Sequence, residues 1–178
     1  MKKFNLSPFP ILSTPRLILR QLQDTDSAAL YALRSTPEVN QYLERKPPAS
    51  IQDIEAFISA RNKEIEKNIN IIWAITHKKT KQCVGTICIW NFSEDGSSGE
   101  LGYELGLAYQ KQGFMSEALR AALVYGQEDL GLNQMTAYTR EDNLASRDLL
   151  ERHGFMLQKY VLESGAQKCQ AAYVLDKK

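Results

Sequence analysis

The stretch from Glu100 to Leu119 constrains this chain more than any other. Alternation over a strand at about 100–107 puts Leu101, Tyr103, Leu105 and Leu107 on one face, which reads as core. The other face carries Glu100, Gly102, Glu104 and Gly106. Glycines inside a strand forgo packing, and they often mark a bulge or a close approach of a ligand to the backbone. A bulge would re-aim Glu104 relative to Glu100, so their shared face is the default only. Gln110-Lys111-Gln112-Gly113-Phe114-Met115-Ser116 follows and leads into a helix. A glycine turn at a helix entry aims several free amides one way, and the helix dipole adds partial positive charge there. With Lys111 and Ser116 beside it, the turn suits a phosphate or pyrophosphate. One glycine before a helix is equally simple turn geometry. Neither a Walker A loop nor a GxGxxG fingerprint is present, which disfavours ATP and dinucleotides.

The rest of the chain supplies a sheet for that unit to rest on. Arg16–Arg20 reads as a first strand, and Asp24 is placed to cap a helix running to Arg34. Pro37, Pro47 and Pro48 break the chain, and Ser50 with Asp53 resembles a capping box. Ile51, Ile54, Phe57, Ile58 and Ile65 then recur at helical spacing over about 51–67. Ile71–Thr76 and Cys83–Trp90 are rich in β-branched and aromatic residues and read as a hairpin. The spacing predicts helices over 116–130, ending at Gly131, and 144–153, ending at Gly154, with a strand at Gln134–Thr139 between them. Phe155–Leu162 and Lys168–Leu175 read as a closing hairpin around Gly165. The order β-α-α-β-β-β-α-β-α-β-β predicts an α/β or α+β sheet with helices on its faces. With 178 residues, 43% of them hydrophobic, the chain reads as a single domain over 1–178, residues 1–12 forming a flexible N-terminal segment.

Charge and cysteine usage exclude several function classes. Twenty-two basic against 21 acidic residues leave a formal net charge of +1, which gives no whole-chain case for nucleic acid or an anionic membrane. The longest apolar run, Ile71–Ile75, is far short of a transmembrane span, and the prolines after Lys2-Lys3 leave no signal-peptide core. Cys83, Cys88 and Cys169 form no CxxC and have no clustered histidines, so no metal site is expected; they read as small core residues in a reducing cytoplasm. His77, in a polar turn, and His153, near a helix C-terminus, need no catalytic role. Trp73 reads as core, and Trp90 is left open between core and an acceptor pocket.

A second constellation lies at Asn143 to Phe155, where Asn143 is a natural N-cap and Ser146 sits in the first turn of the helix. Gln110-x-x-Gly113, then Asn143-x-x-Ser146, then Gly154-Phe155, taken in that order, resemble the GNAT superfamily of acetyl-CoA-dependent N-acetyltransferases. Thr14-Pro15-Arg16-Leu17-Ile18-Leu19-Arg20, Glu100-Leu101-Gly102-Tyr103-Glu104-Leu105 and Ser116-Glu117-Ala118-Leu119 look like its RimJ/RimL branch of ribosomal-protein N-terminal acetyltransferases. The resemblance spans about residues 12–175.

That resemblance implies a mixed, mostly antiparallel sheet, splayed between the strands at 100–107 and 134–139, with acetyl-CoA as acetyl donor in the opening. The pantetheine arm would pair with the backbone of Leu105, Gly106 and Leu107. The pyrophosphate would rest on the amides of Gln112, Gly113, Phe114, Met115 and Ser116. Asn143 would bond the cofactor arm, and Ser146 would lie near the thioester sulfur. Two positions depart from the pattern: Met115 ends the loop where relatives carry Gly or Ala, and Leu150 stands where many carry a tyrosine acid. Ser146, Asn143 or a water then remains to protonate the thiolate. Glu100 is the first candidate base and Glu104 the second, the alternative being a solvated strand face. A strand amide near Leu105 is the candidate oxyanion donor. The acceptor would be a primary amine, either a protein N-terminus or a small molecule such as a polyamine or aminoglycoside, taken by a monomer or homodimer. The alternatives are a non-catalytic acyl-CoA-binding module and a generic phosphate-binding α/β domain.

Overall fold

A computed structural model describes residues 5–43, 45–162 and 168–177. Eight strands form one sheet: β1 (Leu12–Ser13), β2 (Leu17–Arg20), β3 (Ile71–His77), β4 (Cys83–Trp90), β5 (Ser98–Leu105), β6 (Gln134–Arg140), β7 (Met156–Val161) and β8 (Gln170–Asp176). Their spatial order is β1-β2-β3-β4-β5-β6-β8-β7. Every neighbouring pair is antiparallel except β5 and β6. The helices are α1 (Ser27–Ser35), α2 (Pro37–Asn40), α3 (Ile51–Glu66), α4 (Phe114–Val124) and α5 (Leu144–Arg152). The turn around Gly165 lies outside the described residues.

The helices divide between the two faces because side chains alternate along each strand. Arg34 of α1 reaches Glu104, which Thr86 also bonds, so α1 lies over the even-numbered face of β4. Gly126, just past α4, sits against Ile89 on the odd-numbered face, where Tyr103 meets α5. Trp73 and Tyr173, both fully buried, anchor the core on the two sides of the sheet's centre.

Three local expectations change, and the capping box expected at Ser50 and Asp53 is present. The helix expected to start at Asp24 begins at Ser27, after a 3₁₀ turn over Asp24–Asp26. Asp26 rather than Asp24 organises that entry, because Arg20 grips its carboxylate at 2.7 and 2.8 Å and the Gln23 amide donates to it. At α3, Asp53 accepts the amides of Ala49 and Ser50, the reciprocal half of a capping box. The helix expected over 116–130 is α4 followed by a π turn at Tyr125–Asp129; there Gly126 packs so closely that an added Cβ would lie 3.0 Å from the Met135 sulfur. The segment expected to be a flexible leader is packed from residue 5 onward. Leu6 is buried, Phe9 meets Trp73 edge to face, and the Trp73 indole donates to the Pro10 carbonyl at 2.9 Å.

Candidate active site

The parallel ladder between β5 and β6 runs only from Ser98–Gln134 to Leu101–Ala137. Both strands continue beyond that last pair, β5 to Leu105 and β6 to Arg140, without pairing to each other. The sheet therefore opens after Leu101, and the backbone edges of Gly102–Leu105 and Tyr138–Arg140 flank a cleft. A break in strand order of this kind is where α/β sheets commonly receive ligands.

Strand β5 ends earlier than the expected 107. The Gly106 amide donates to the Val84 carbonyl, Leu105 O accepts Gln110 Nε2, and Leu107 opens a 3₁₀ turn. Leu107 is consequently exposed rather than part of the core. Gly113, at φ +79°, caps α4 in the left-handed region that glycine tolerates best. The first i→i−4 bond of α4 is Glu117 N–H to Gly113 O, so the amides of Phe114, Met115 and Ser116 precede the helical ladder. Phe114 itself is buried against His77 and Tyr109. Gln112 donates its side-chain amide to Ala108 O. Ser116 Oγ lies 3.1 Å from His153 Nε2 and so links α4 to α5. His153 Nδ1 faces the Leu149 carbonyl at 2.8 Å, and Nε2 also lies 3.2 Å from the Ser116 carbonyl.

The loop is clamped from a distant part of the chain. Glu117 accepts the Thr14 hydroxyl at 2.5 Å, the Arg16 amide at 2.7 Å and the Arg16 guanidinium at 2.7 Å. Arg16 also donates to Gln112 O at 2.9 Å and stacks over Phe114. Burial alone would raise the Glu117 pKa, but these donors outweigh it and hold the carboxyl below its usual range. Thr14, Arg16 and Glu117 belong to the family-like motifs, but no local spacing signals this contact between them.

Asn143 caps α5, its Oδ1 accepting Ser146 N–H at 3.2 Å. The Ser146 hydroxyl meets Tyr103 Oη at 2.8 Å, bridging from α5 to the unpaired end of β5. Burial pushes the Tyr103 phenol up to about 12 despite that contact. Leu150, one turn beyond Ser146, is fully buried and packs in the core.

The two glutamates of β5 do share a face, in very different surroundings. Glu100 is partly exposed, opposite Trp90 on β4 and Thr136 on β6, with Asn91 Nδ2 donating to it at 3.3 Å. Trp90 and Tyr138 flank that patch, each about half exposed. Glu104 is buried, so the alternative of a solvated strand face does not hold for it. Arg34 donates to its Oε1 at 2.9 and 2.6 Å, Thr86 donates at 3.0 Å, and Arg45 Nη1 lies 2.5 Å from Oε2. Burial alone would raise the Glu104 pKa; Arg34 and Arg45 outweigh it and hold the carboxyl below its usual range. A carboxylate gripped by two guanidinium groups is a poor proton acceptor.

Cys83 and Cys88 have thiols pushed up to about 12 by burial, which suits packing rather than nucleophilic chemistry. Among the described residues no cluster of His, Cys, Asp and Glu could hold a metal, and no helix is long and apolar enough to cross a membrane.

Residues 16–156 match the model of the acetyltransferase (GNAT) domain family. The chain is 34% identical over 161 residues to the uncharacterized N-acetyltransferase YoaA of Bacillus subtilis (strain 168), covering 88% of this chain and 91% of that protein. A solved structure of a candidate ribosomal-protein-serine acetyltransferase from Vibrio cholerae superposes with a TM-score of 0.83 at 26% identity, covering 96% of this chain and 99% of that one. Mycobacterium smegmatis RimJ in complex with a CoA disulfide has the same fold, with a TM-score of 0.82 at 19% identity over 94% of this chain and 86% of that one.

Proposed function

The chain belongs to the GNAT acetyltransferase family and is an acyltransferase; from that premise we propose that it moves the acetyl group of acetyl-CoA to a primary amine by direct attack on the thioester. The observation that carries this reading is the cleft that opens after Leu101 and Ala137. In this reading the amides at the start of α4 would border it on one side and Ser146, in the first turn of α5, on the other. Acetyl-CoA supplies the activated acyl group when bound, so the protein's task is to bind, orient and take a proton. The amides of Gly113 through Ser116 would take the pyrophosphate. The edge of β5 at Leu105 would receive the pantetheine arm, as would Asn143, and Ser146 would face the sulfur. Glu100, partly exposed on the opposite face of the sheet, would take the proton from the acceptor ammonium, directly or through water, so that the neutral amine can attack. Glu104 serves the fold rather than the reaction, joining β5 to Arg34 of α1 and to Arg45. A protein N-terminal α-amine asks less of such a base than a lysine, because its reference pKa is about 8 rather than about 10. The acceptor would be a protein N-terminal α-amine or a small amine.

The test has two stages. Acetyl-CoA at about a hundredfold over its Kd should stabilise the protein by about 2.7 kcal/mol, with ATP giving no comparable shift in melting. Acetyl transfer to a panel of peptide and small amines should then fall about 10²- to 10⁴-fold in Glu100→Gln while acetyl-CoA binding persists. Glu100→Gln turning over at the wild-type rate would remove Glu100 as base, and absence of any CoA-selective shift would overturn the cofactor site.

A further inference from the structure

Ser146 is held more tightly than a first-turn serine requires. Its amide is committed to Asn143 Oδ1 at 3.2 Å, and its hydroxyl lies 2.8 Å from the phenol of Tyr103, whose other acceptor, Ser146 O, is farther at 3.5 Å. Tyr103 stands two residues past the last β5–β6 pair, so this contact bridges the cleft near its apex. A serine hydroxyl has one hydrogen to donate and two lone pairs to accept with. The phenol is the more acidic donor of the two, and its surroundings keep it protonated, with burial raising it to about 12. When the phenol donates to Ser146 Oγ, the serine hydrogen is released for a third group in the cleft.

We propose that Tyr103 is a positioning residue that turns the Ser146 hydroxyl toward the sulfur of bound coenzyme A. The inference rests on the reading of Ser146 as the group at the thioester sulfur. In the step it serves, the amine nitrogen bonds to the acetyl carbon and the C–S bond breaks. The electron pair leaves on sulfur, and the surplus ammonium proton passes to Glu100 or water. The Ser146 hydrogen bond stabilises the thiolate; Tyr103 and Ser146 each keep their proton. With Leu150 buried in the core, no phenol stands one helical turn away at that position to do the same work.

The test uses free CoA as probe and needs no acceptor. Thiolate ultraviolet absorbance of the CoA complex is titrated against pH for the wild type, Tyr103→Phe, Ser146→Ala and the double variant, with the unliganded protein subtracted. A hydrogen bond to the thiolate favours the ionised form, so the bound thiol should ionise more readily than free CoA in the wild type. Tyr103→Phe should weaken that ionisation about tenfold, equivalent to about 1.4 kcal/mol. Ser146→Ala should weaken it at least as much, and the double variant no further. A tyrosine that merely packs would leave the thiol unmoved. Identical titrations in wild type and Tyr103→Phe overturn the proposal, as do additive effects in the double variant. If Tyr103→Phe does not fold, an unmoved thiol in Ser146→Ala overturns it alone. Failure of CoA to bind the wild type would instead sink the acetyl-CoA reading itself.

Discussion

Replacing Glu104 by glutamine should cost the protein much of its stability without touching the chemistry. The carboxylate accepts two bonds from Arg34, one from Thr86 and a 2.5 Å contact from Arg45. Glutamine is nearly isosteric, and its carbonyl can keep Arg34 and Thr86. Its NH₂ group then faces Arg45, donor against donor, and the compensating charge is gone. Removing one partner of a buried ion pair typically costs about 3–5 kcal/mol. The side chains of Arg34 and Arg45 retain 12% and 28% exposure, so both can relax toward water and the lower end applies. About 3 kcal/mol in a chain of this size lowers Tm by about 6–12 °C. Glu104 also shapes the acid limb. Its folded pKa is depressed, so its contribution is fully present above the unfolded carboxyl value of about 4.3. That contribution is lost as pH falls through the depressed folded value, because the unfolded chain takes up the proton first. Thermal melts at pH 7 and at a series of acid pH values read both effects. Glu104→Gln should melt lower at pH 7 and lose stability less steeply in acid. The triple variant Arg34→Met, Glu104→Leu, Arg45→Met should recover most of the loss, because no charge is left buried and unpaired. A melting point for Glu104→Gln within about 2 °C of the wild type would refute the reasoning.

Three other substitutions probe the cofactor loop and the core beneath it. Gly113→Ala forces a Cβ onto φ +79° and within 3.4 Å of Arg16, so a cost of about 1–2 kcal/mol and weaker CoA binding by calorimetry are expected. Glu117→Gln removes the charge that gathers the Thr14 hydroxyl and both Arg16 donors; losing one such charge-assisted bond is worth about 2 kcal/mol, and Tm and CoA affinity should fall together. Leu150→Tyr places a larger, polar side chain where the core has no space, so it should destabilise by about 1–3 kcal/mol and leave turnover no higher; a gain in kcat would show that the position faces the cleft.

Much of the fold was legible because its strongest elements announce themselves locally. β3 and β4 are runs of buried β-branched and aromatic residues, and the expected bounds differ from the observed ones by at most one residue. The order of the principal elements follows from such runs and from the helical spacings between them. The packing of the N-terminal segment is not legible in the sequence because nothing periodic marks it. Leu6 is separated from the adjacent Phe9 and Pro10 by Ser7 and Pro8, and their order comes from Trp73 and Asn68, more than sixty residues away. The end of α4 was misjudged for a related reason. Its apolar spacing continues to Leu130, while the close approach of Gly126 to Met135 and Ile89 reshapes the last turn.

The candidate site shows the same division between what is local and what is distant. Alternation correctly put Glu100 and Glu104 on one face, yet it could not separate them. What separates them is Arg34, seventy residues earlier in the chain, and Arg45, brought in by a loop without regular structure. The Asn143–Ser146 cap was readable because it closes within four residues, whereas the Tyr103–Ser146 bridge crosses forty-three and carries no spacing signal. One part of the motif pattern does become physical only in three dimensions. Thr14 and Arg16 lie at one end of the resemblance and Glu117 near its middle, and they are bonded to each other and to the loop that Gly113 turns. Those residues form one mechanical unit. The β1–β2 turn holds Glu117, Glu117 fixes the start of α4, and the start of α4 aims the amides. A change at Thr14 or Arg16 should therefore act on CoA affinity through the loop, even though neither residue belongs to the set of amides expected to hold the pyrophosphate.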